Sequence, residues 1–173
     1  MKLIVWLGNP GKEYAKTRHN IGFIMLDRFC DRGNYGGWKM EKNFHAEIIK
    51  TPDIIFCKPQ TYMNKSWEAI KKIVDFYKIP VENILIIHDE IDLPTGTIQK
   101  KIGGSHAGHN GLRNTLLHLQ NNNTFTRIRI WVDRPDTKEW VVDWVLEPFS
   151  KAELTVIDSK EETIFWYINE FIS

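Results

Sequence analysis

The chain opens on an unbroken apolar run, Leu3-Ile4-Val5-Trp6-Leu7, which predicts a buried strand. Gly8-Asn9-Pro10-Gly11 breaks the run as a turn. Amphipathic spacing resumes at Ile21, with Ile24 and Met25 on the same face, so a helix is expected there with Asn20 as its N-cap. Short strands are expected over 46–50 and 54–58, on either side of Thr51-Pro52-Asp53. Trp67, Ile70, Ile73, Val74 and Tyr77 fall at helical spacing within 64–78, and Pro80 closes that helix. The apolar run 84–87 predicts a second buried strand, which ends in His88-Asp89-Glu90. A turn at 92–96, a strand over 97–102 and a glycine-rich loop at 103–111 follow, leading to a helix with Leu112, Leu116 and Leu119. Residues 127–132 alternate basic and apolar, the pattern of a strand with one wet face. Trp140, Val141, Trp144 and Val145 fit a short helix. Ser150-x-x-Glu153 is a capping-box pattern opening a final helix with Leu154, Ile157, Ile164, Phe165 and Ile168.

Strands interleaved with helices predict an α/β protein, a three-layer sandwich with a twisted, mixed β-sheet flanked by helices. At 173 residues it is expected to be one domain over 1–173, large enough to bury a core without staples. No apolar run approaches the roughly 20 residues that span a bilayer, and no signal-peptide pattern precedes the first strand. Two cysteines make no disulfide framework and suit a reducing compartment, so a cytoplasmic protein with no membrane partner is expected. The net charge of +1 hides a division. Residues 1–135 carry 20 Lys and Arg against 13 Asp and Glu, whereas residues 136–173 carry 3 against 9. A basic body with an acidic tail region suits a polyanionic partner on one face, although a solvated acidic helix face accounts for the tail equally well.

Candidate chemistry gathers where the inferred strands end. His19 lies with Asn9 and Asn20 after the first strand, His88-Asp89 ends a later one, and His109-Asn110 closes the glycine-rich loop. Met63 and Asn64 stand at a helix start. Each alone has an ordinary reading, as a satisfied histidine or a turn asparagine. No His-Glu-x-x-His, Cys-x-x-Cys or EF-hand pattern points to a metal, no Gly-x-Ser-x-Gly elbow to a serine nucleophile, and no Gly-Lys-Ser/Thr to a P-loop. A His backed by an Asp, with amides nearby and no nucleophile, suits a His-activated water attacking an acyl carbonyl. Asparagine amides can donate to the developing oxyanion. A non-hydrolytic nucleic-acid-binding module and an amidase or exopeptidase remain open at this point.

The chain also resembles the bacterial-type peptidyl-tRNA hydrolases. The matching blocks are Leu7-Gly8-Asn9-Pro10-Gly11-x-x-Tyr14-x-x-Thr17-Arg18-His19-Asn20-x-Gly22, Lys58-Pro59-Gln60-Thr61-Tyr62-Met63-Asn64-x-Ser66, His88-Asp89-Glu90-x-Asp92-Leu93-Pro94-x-Gly96 and Gly108-His109-Asn110-Gly111-Leu112. The resemblance implies a monomeric esterase, without metal or other cofactor, that cleaves the bond between a peptide carboxyl and the 3′-ribose of tRNA and so recycles the tRNA. It implies His19 as general base, Asp89 as its orienting partner and Asn9 at the substrate carbonyl or oxyanion. Asn64 and Asn110 would bind the peptide backbone and tRNA terminus, with Met63, Tyr14 and His109 shaping the channel. Lys101 and Arg129 align with a basic pair that resembles the family's clamp for the tRNA 5′-phosphate. Trp6, Trp67, Ala107, Trp131 and Asp133 stand where the family usually has glycine, which bears on local packing and channel width.

Overall fold

A computed structural model describes residues 1–119 and 124–173. Among the described residues, seven strands form one sheet: β1 (Lys2–Trp6), β2 (Lys39–Glu41), β3 (Ala46–Lys50), β4 (Ile54–Pro59), β5 (Ile84–Glu90), β6 (Ile98–Ile102) and β7 (Thr126–Trp131). Their order is β2-β3-β4-β1-β5-β7-β6. The four central strands run parallel, and β2, β3 and β6 are antiparallel to their neighbours. The sheet is therefore mixed, as expected, and the short edge strand β2 is an addition that its charged three-residue sequence does not announce.

Side-chain alternation splits the core into two layers. Ile4, Trp6, Leu85, Ile87, Ile128 and Ile130 pack on one face against α1 (Ile21–Arg32), α5 (Lys151–Asp158) and α6 (Glu161–Ile172). Leu3, Val5, Leu7, Ile84 and Ile86 pack on the other against α2 (Ser66–Tyr77) and α3 (Asn110–His118). The result is a three-layer α/β sandwich. Cys30 and Cys57 are both buried and free, one in each layer, and burial pushes the Cys30 thiol up to about 12.

Three expectations change. The last helix is two, α5 and α6, separated at Ser159-Lys160, where the Lys160 N–H donates to Ile157 C=O and the Ser159 hydroxyl to Val156 C=O. The break lets Ile157, Ile164 and Ile168 all reach the core. Asn20 is not a side-chain N-cap; it closes a short 3-10 turn, Arg18–Asn20, and spends its amide elsewhere. The basic face of β7 is wet only at Arg129, because Arg127 is as buried as its apolar neighbours. Its guanidinium is consumed by the carbonyls of Gly103 and Ser105, a use that alternation cannot reveal.

Candidate active site

A cavity of about 750 Å³ opens where β1 and β5 end. The seven residues of β5 are all buried, and alternation sends Asp89 to the α1 layer while His88 and Glu90 face the other. Asp89 thus meets the 3-10 turn that carries His19 into α1. Gly22 makes that approach possible: a Cβ there would lie 2.8 Å from the Leu7 carbonyl oxygen. Gly111 does the same for α3, where a Cβ would lie 2.8 Å from the Met63 sulfur.

His19 Nδ1 lies 2.9 Å from Asp89 Oδ1, and His109 Nε2 lies 3.0 Å from the same oxygen. Protons can be assigned to both rings. The Nδ1 of His109 accepts the Leu112 N–H as the N-cap of α3, so its Nε2 carries the proton and donates to Asp89. Burial alone would raise the Asp89 carboxyl, but the imidazoles of His19 and His109 overcome it and hold the group well below the usual carboxylate range. An ionised Asp89 accepts from His19 Nδ1–H, which leaves His19 Nε2 as a lone pair. His88 is buried beside this pair, its ring 5.0 Å from that of His109. Burial, then His109, pushes it well below the usual histidine range, so it is neutral; its Nδ1 donates to the Asp89 carbonyl at 2.7 Å.

Asn9 is fixed from three sides. Its backbone N–H donates to Asn20 Oδ1 at 2.9 Å, its carbonyl accepts from Asn20 Nδ2 at 2.8 Å, and its Oδ1 accepts the Met63 N–H at 2.7 Å. A backbone donor thus decides which way the Asn9 amide points, and Nδ2 is the group left for the cavity. Here lies the use of the Asn20 amide: it fastens the Asn9 loop to the His19 turn.

Tyr14, Met63, Asn64 and Asn110 line the same cavity, with Tyr14 set edge-on to Tyr62. Lys101 and Arg129 do not line it. They lie on neighbouring strands, where Lys101 pairs with Arg127 and Gln99 with Arg129 in the β6–β7 register. Lys101 is exposed, while Arg129 is held by Glu90 Oε2 through Nε at 3.0 Å and NH2 at 2.9 Å, and by Gln99. Glu90 and an apolar wall of Ile91, Val141, Val142, Val145 and Leu146 complete the lining, and no motif in the sequence marks them as site residues. Val141–Leu146 form a short helix, α4, that periodicity does predict; what it faces was the missing information.

Of the five positions where the family usually has glycine, Ala107 alone lines the cavity, at φ +46°. Trp6 is buried in the α1 layer against Phe56, its indole N–H without a partner. Trp67 stacks on the His118 ring. Trp131 is buried, and Asp133 takes a left-handed φ of +64°. Channel width is therefore a question about Ala107.

One atom from each of His19, Asp89 and His109 lies within 4.8 Å of the others, a spacing compatible with a metal ion. The nitrogens facing Asp89 nonetheless carry protons, and His109 cannot shift its own to Nδ1 without opposing the Leu112 N–H. The set is arranged as hydrogen-bond donors to a carboxylate rather than as a ligand sphere. Among the described residues that line the cavity none is a serine or a cysteine; what the end of this α/β sheet offers is a histidine paired with an ionised carboxylate, with asparagine amides beside it.

The profile of the family described as peptidyl-tRNA hydrolase matches residues 3–173. A peptidyl-tRNA hydrolase of Mycoplasma mycoides subsp. mycoides is 44% identical over 174 residues, covering 99% of this chain and 92% of its own. One from Rickettsia bellii is 44% identical over 168 residues, covering 95% and 89%. The crystal structure of the Acinetobacter baumannii peptidyl-tRNA hydrolase superposes with a TM-score of 0.89 at 35% identity, covering 99% of this chain and 88% of that one. The chain belongs to the peptidyl-tRNA hydrolase family.

Proposed function

We propose that this chain hydrolyses the ester between the peptide carboxyl and the 3′-ribose of peptidyl-tRNA and so returns free tRNA, with His19 as the base. One domain over 1–173 does this as a cytoplasmic monomer, with no metal, cofactor or membrane partner. The observation that carries the reading is the 2.9 Å contact between His19 Nδ1 and a buried, ionised Asp89, which turns the Nε2 lone pair toward the cavity. Water gives a proton to Nε2 as its oxygen attacks the acyl carbon. The carbonyl oxygen gains negative charge, and Asn9 Nδ2 donates to it. Collapse of the intermediate breaks the bond to the ribose 3′-oxygen, which takes the proton back from the imidazolium. Asp89 stabilises that imidazolium throughout. Asn64 and Asn110 hold peptide backbone and the tRNA terminus, while Met63, Tyr14 and His109 shape the channel. Lys101 and Arg129 take the 5′-phosphate, a contact that favours tRNA in general over any one sequence.

Turnover of an N-acetylated aminoacyl-tRNA tests the reading. The wild type is expected to release free tRNA, with a rate that falls at acidic pH as the imidazole takes up its proton. His19→Ala is expected to lose about 10²–10⁴-fold in kcat. Wild-type turnover by that variant refutes the base, and salt-sensitive tRNA binding without cleavage by the wild type makes the chain a binding module instead.

A further inference from the structure

The helix α4 is six residues long and buries only Val145, yet it supplies Val141, Val142, Val145 and Leu146 to the cavity wall. A helix this short does not hold itself in place. On one side its Trp144 indole N–H reaches the carbonyls of Val132 and Asp133, at 3.3 and 3.2 Å, and on the side of the catalytic turn it is held by one guanidinium. Arg18, the residue before His19, is 5% exposed, and both of its terminal connections lead away from its own loop. Its Nε donates to Glu153 Oε1 at 2.7 Å and its NH2 to Glu153 Oε2 at 3.0 Å, a two-pronged ion pair. Its NH1 donates to the carbonyl of Trp144 in α4 at 3.1 Å, and the guanidinium lies 3.7 Å from the centre of the Trp144 ring. The backbone adds to the seam, since the Arg18 N–H donates to Glu147 C=O and the Phe149 N–H to Lys16 C=O. Glu153 is itself locked as the capping box of α5, where it accepts the Ser150 N–H at 2.7 Å. Burial works against that carboxylate, and the hydrogen bonds from Arg18 and Ser150 nonetheless hold its pKa below the usual glutamate range.

We propose that Arg18 and Glu153 are positioning residues that set the apolar wall α4 against the turn that carries His19, fixing the width of the cavity that both of them line. The ion pair touches no reacting atom. It holds Val141, Val145 and Leu146 in the lining of the cavity that His19 shares, and its loss lets the wall drift while the His19–Asp89 contact stays intact. The inference rests on the reading of the cavity as the peptidyl-ester site for the identity of its ligand, but not on His19 being the base.

The test compares wild type, Glu153→Gln and the doubly neutral Arg18→Met/Glu153→Gln. The glutamine keeps the shape of the capping box and removes the charge. The double variant leaves no buried charge unpaired and is the fallback should the single variant fold poorly. Two quantities are read: kcat and KM on N-acetylated aminoacyl-tRNA, and Kd for an uncleavable amide, the N-acetyl-aminoacyl derivative of 3′-amino-3′-deoxyadenosine. Expected are rises of about tenfold in KM and Kd per folded molecule, with kcat nearly unchanged and the acid limb of the pH–rate profile in place. A drop in thermal midpoint with unchanged KM and Kd gives the pair a purely structural role and overturns the proposal. So does a fall in kcat at constant KM, which means that the pair acts on the base and not on the wall. A wild type that does not bind the amide overturns it as well, whereas turnover by His19→Ala overturns only the base.

Discussion

The carboxyl end of β5 and the middle of β7 both place ionised groups inside the sheet, and they come to opposite uses. Asp89 is met by two imidazoles that donate to one oxygen, and the cavity opens beside it. Arg127 is met by two backbone carbonyls and Arg129 by Glu90 and Gln99. Each ion has its partners, so a charge in a buried strand does not by itself mark a reactive site. The difference lies in what partnership leaves over. Around Asp89 the donors are rings with a second nitrogen: that of His109 is spent on the Leu112 N–H, and that of His19 is left as a lone pair. Carbonyl oxygens around Arg127 have no second function, so the charge ends as a fastening for residues 103–105.

Asp89→Asn is the strongest way to break this contrast. An asparagine either faces His19 with an N–H, which forces the other tautomer and turns a ring N–H toward the cavity, or offers a neutral oxygen that stabilises the imidazolium poorly. Both remove the base without altering shape. A loss of about 10⁴-fold in kcat, with little change in KM, is expected from steady-state turnover. A loss below tenfold makes Asp89 a structural ion like Arg127.

Arg127→Met tests the other half. The methionine keeps the apolar stem and frees the carbonyls of Gly103 and Ser105 at the root of the loop leading to His109 and Asn110. Two hydrogen bonds from a charged donor are lost, at about 1.5–3 kcal/mol each before relaxation. For a chain of this length the thermal midpoint is expected to fall by roughly 5 °C or more. Activity is expected to change less than tenfold, because no reacting group is removed. A collapse of kcat with an unchanged melting temperature reverses the assignment.

The sheet was legible because short, largely β-branched runs such as 3–7 and 84–87 read as buried strands, and the helices because Ile70, Ile73 and Tyr77 share a face. The position of His19 after one strand and of Asp89 on another was legible too, as was the place of Asn9 at the end of the first. What the sequence withheld was convergence and direction. Alternation in 127–132 says that arginines share a face; it does not say that loop carbonyls wait there. Asn20 reads as an N-cap by position, while its actual partner, the Asn9 backbone, is eleven residues away. The wall of α4 and its anchor through Arg18 depend on a contact with Glu153, 135 residues further on, and no local pattern encodes it.

His88 gives the finest version of the contrast, since it is buried like Arg127 and adjoins Asp89. Like Arg127 it leaves one nitrogen, Nε2, without a partner. Its proton affinity is depressed, first by burial and then by His109, so the folded protein keeps it neutral at pH values where the unfolded chain, with an ordinary histidine near 6.5, takes up a proton. The unfolded state therefore binds more protons below about pH 6.5, and stability falls as the pH is lowered through that value. One group changes the free energy of unfolding by at most about 1.4 kcal/mol per pH unit, or about 3–5 °C in a chain of this size. Melting curves of the wild type and of His88→Leu at pH 7, 6 and 5 are expected to separate: the wild-type midpoint falls more steeply, and the difference in slope belongs to His88. Parallel curves mean that His88 charges without penalty, and it then belongs with the titrating groups of the cavity rather than with the fastened ions of the sheet.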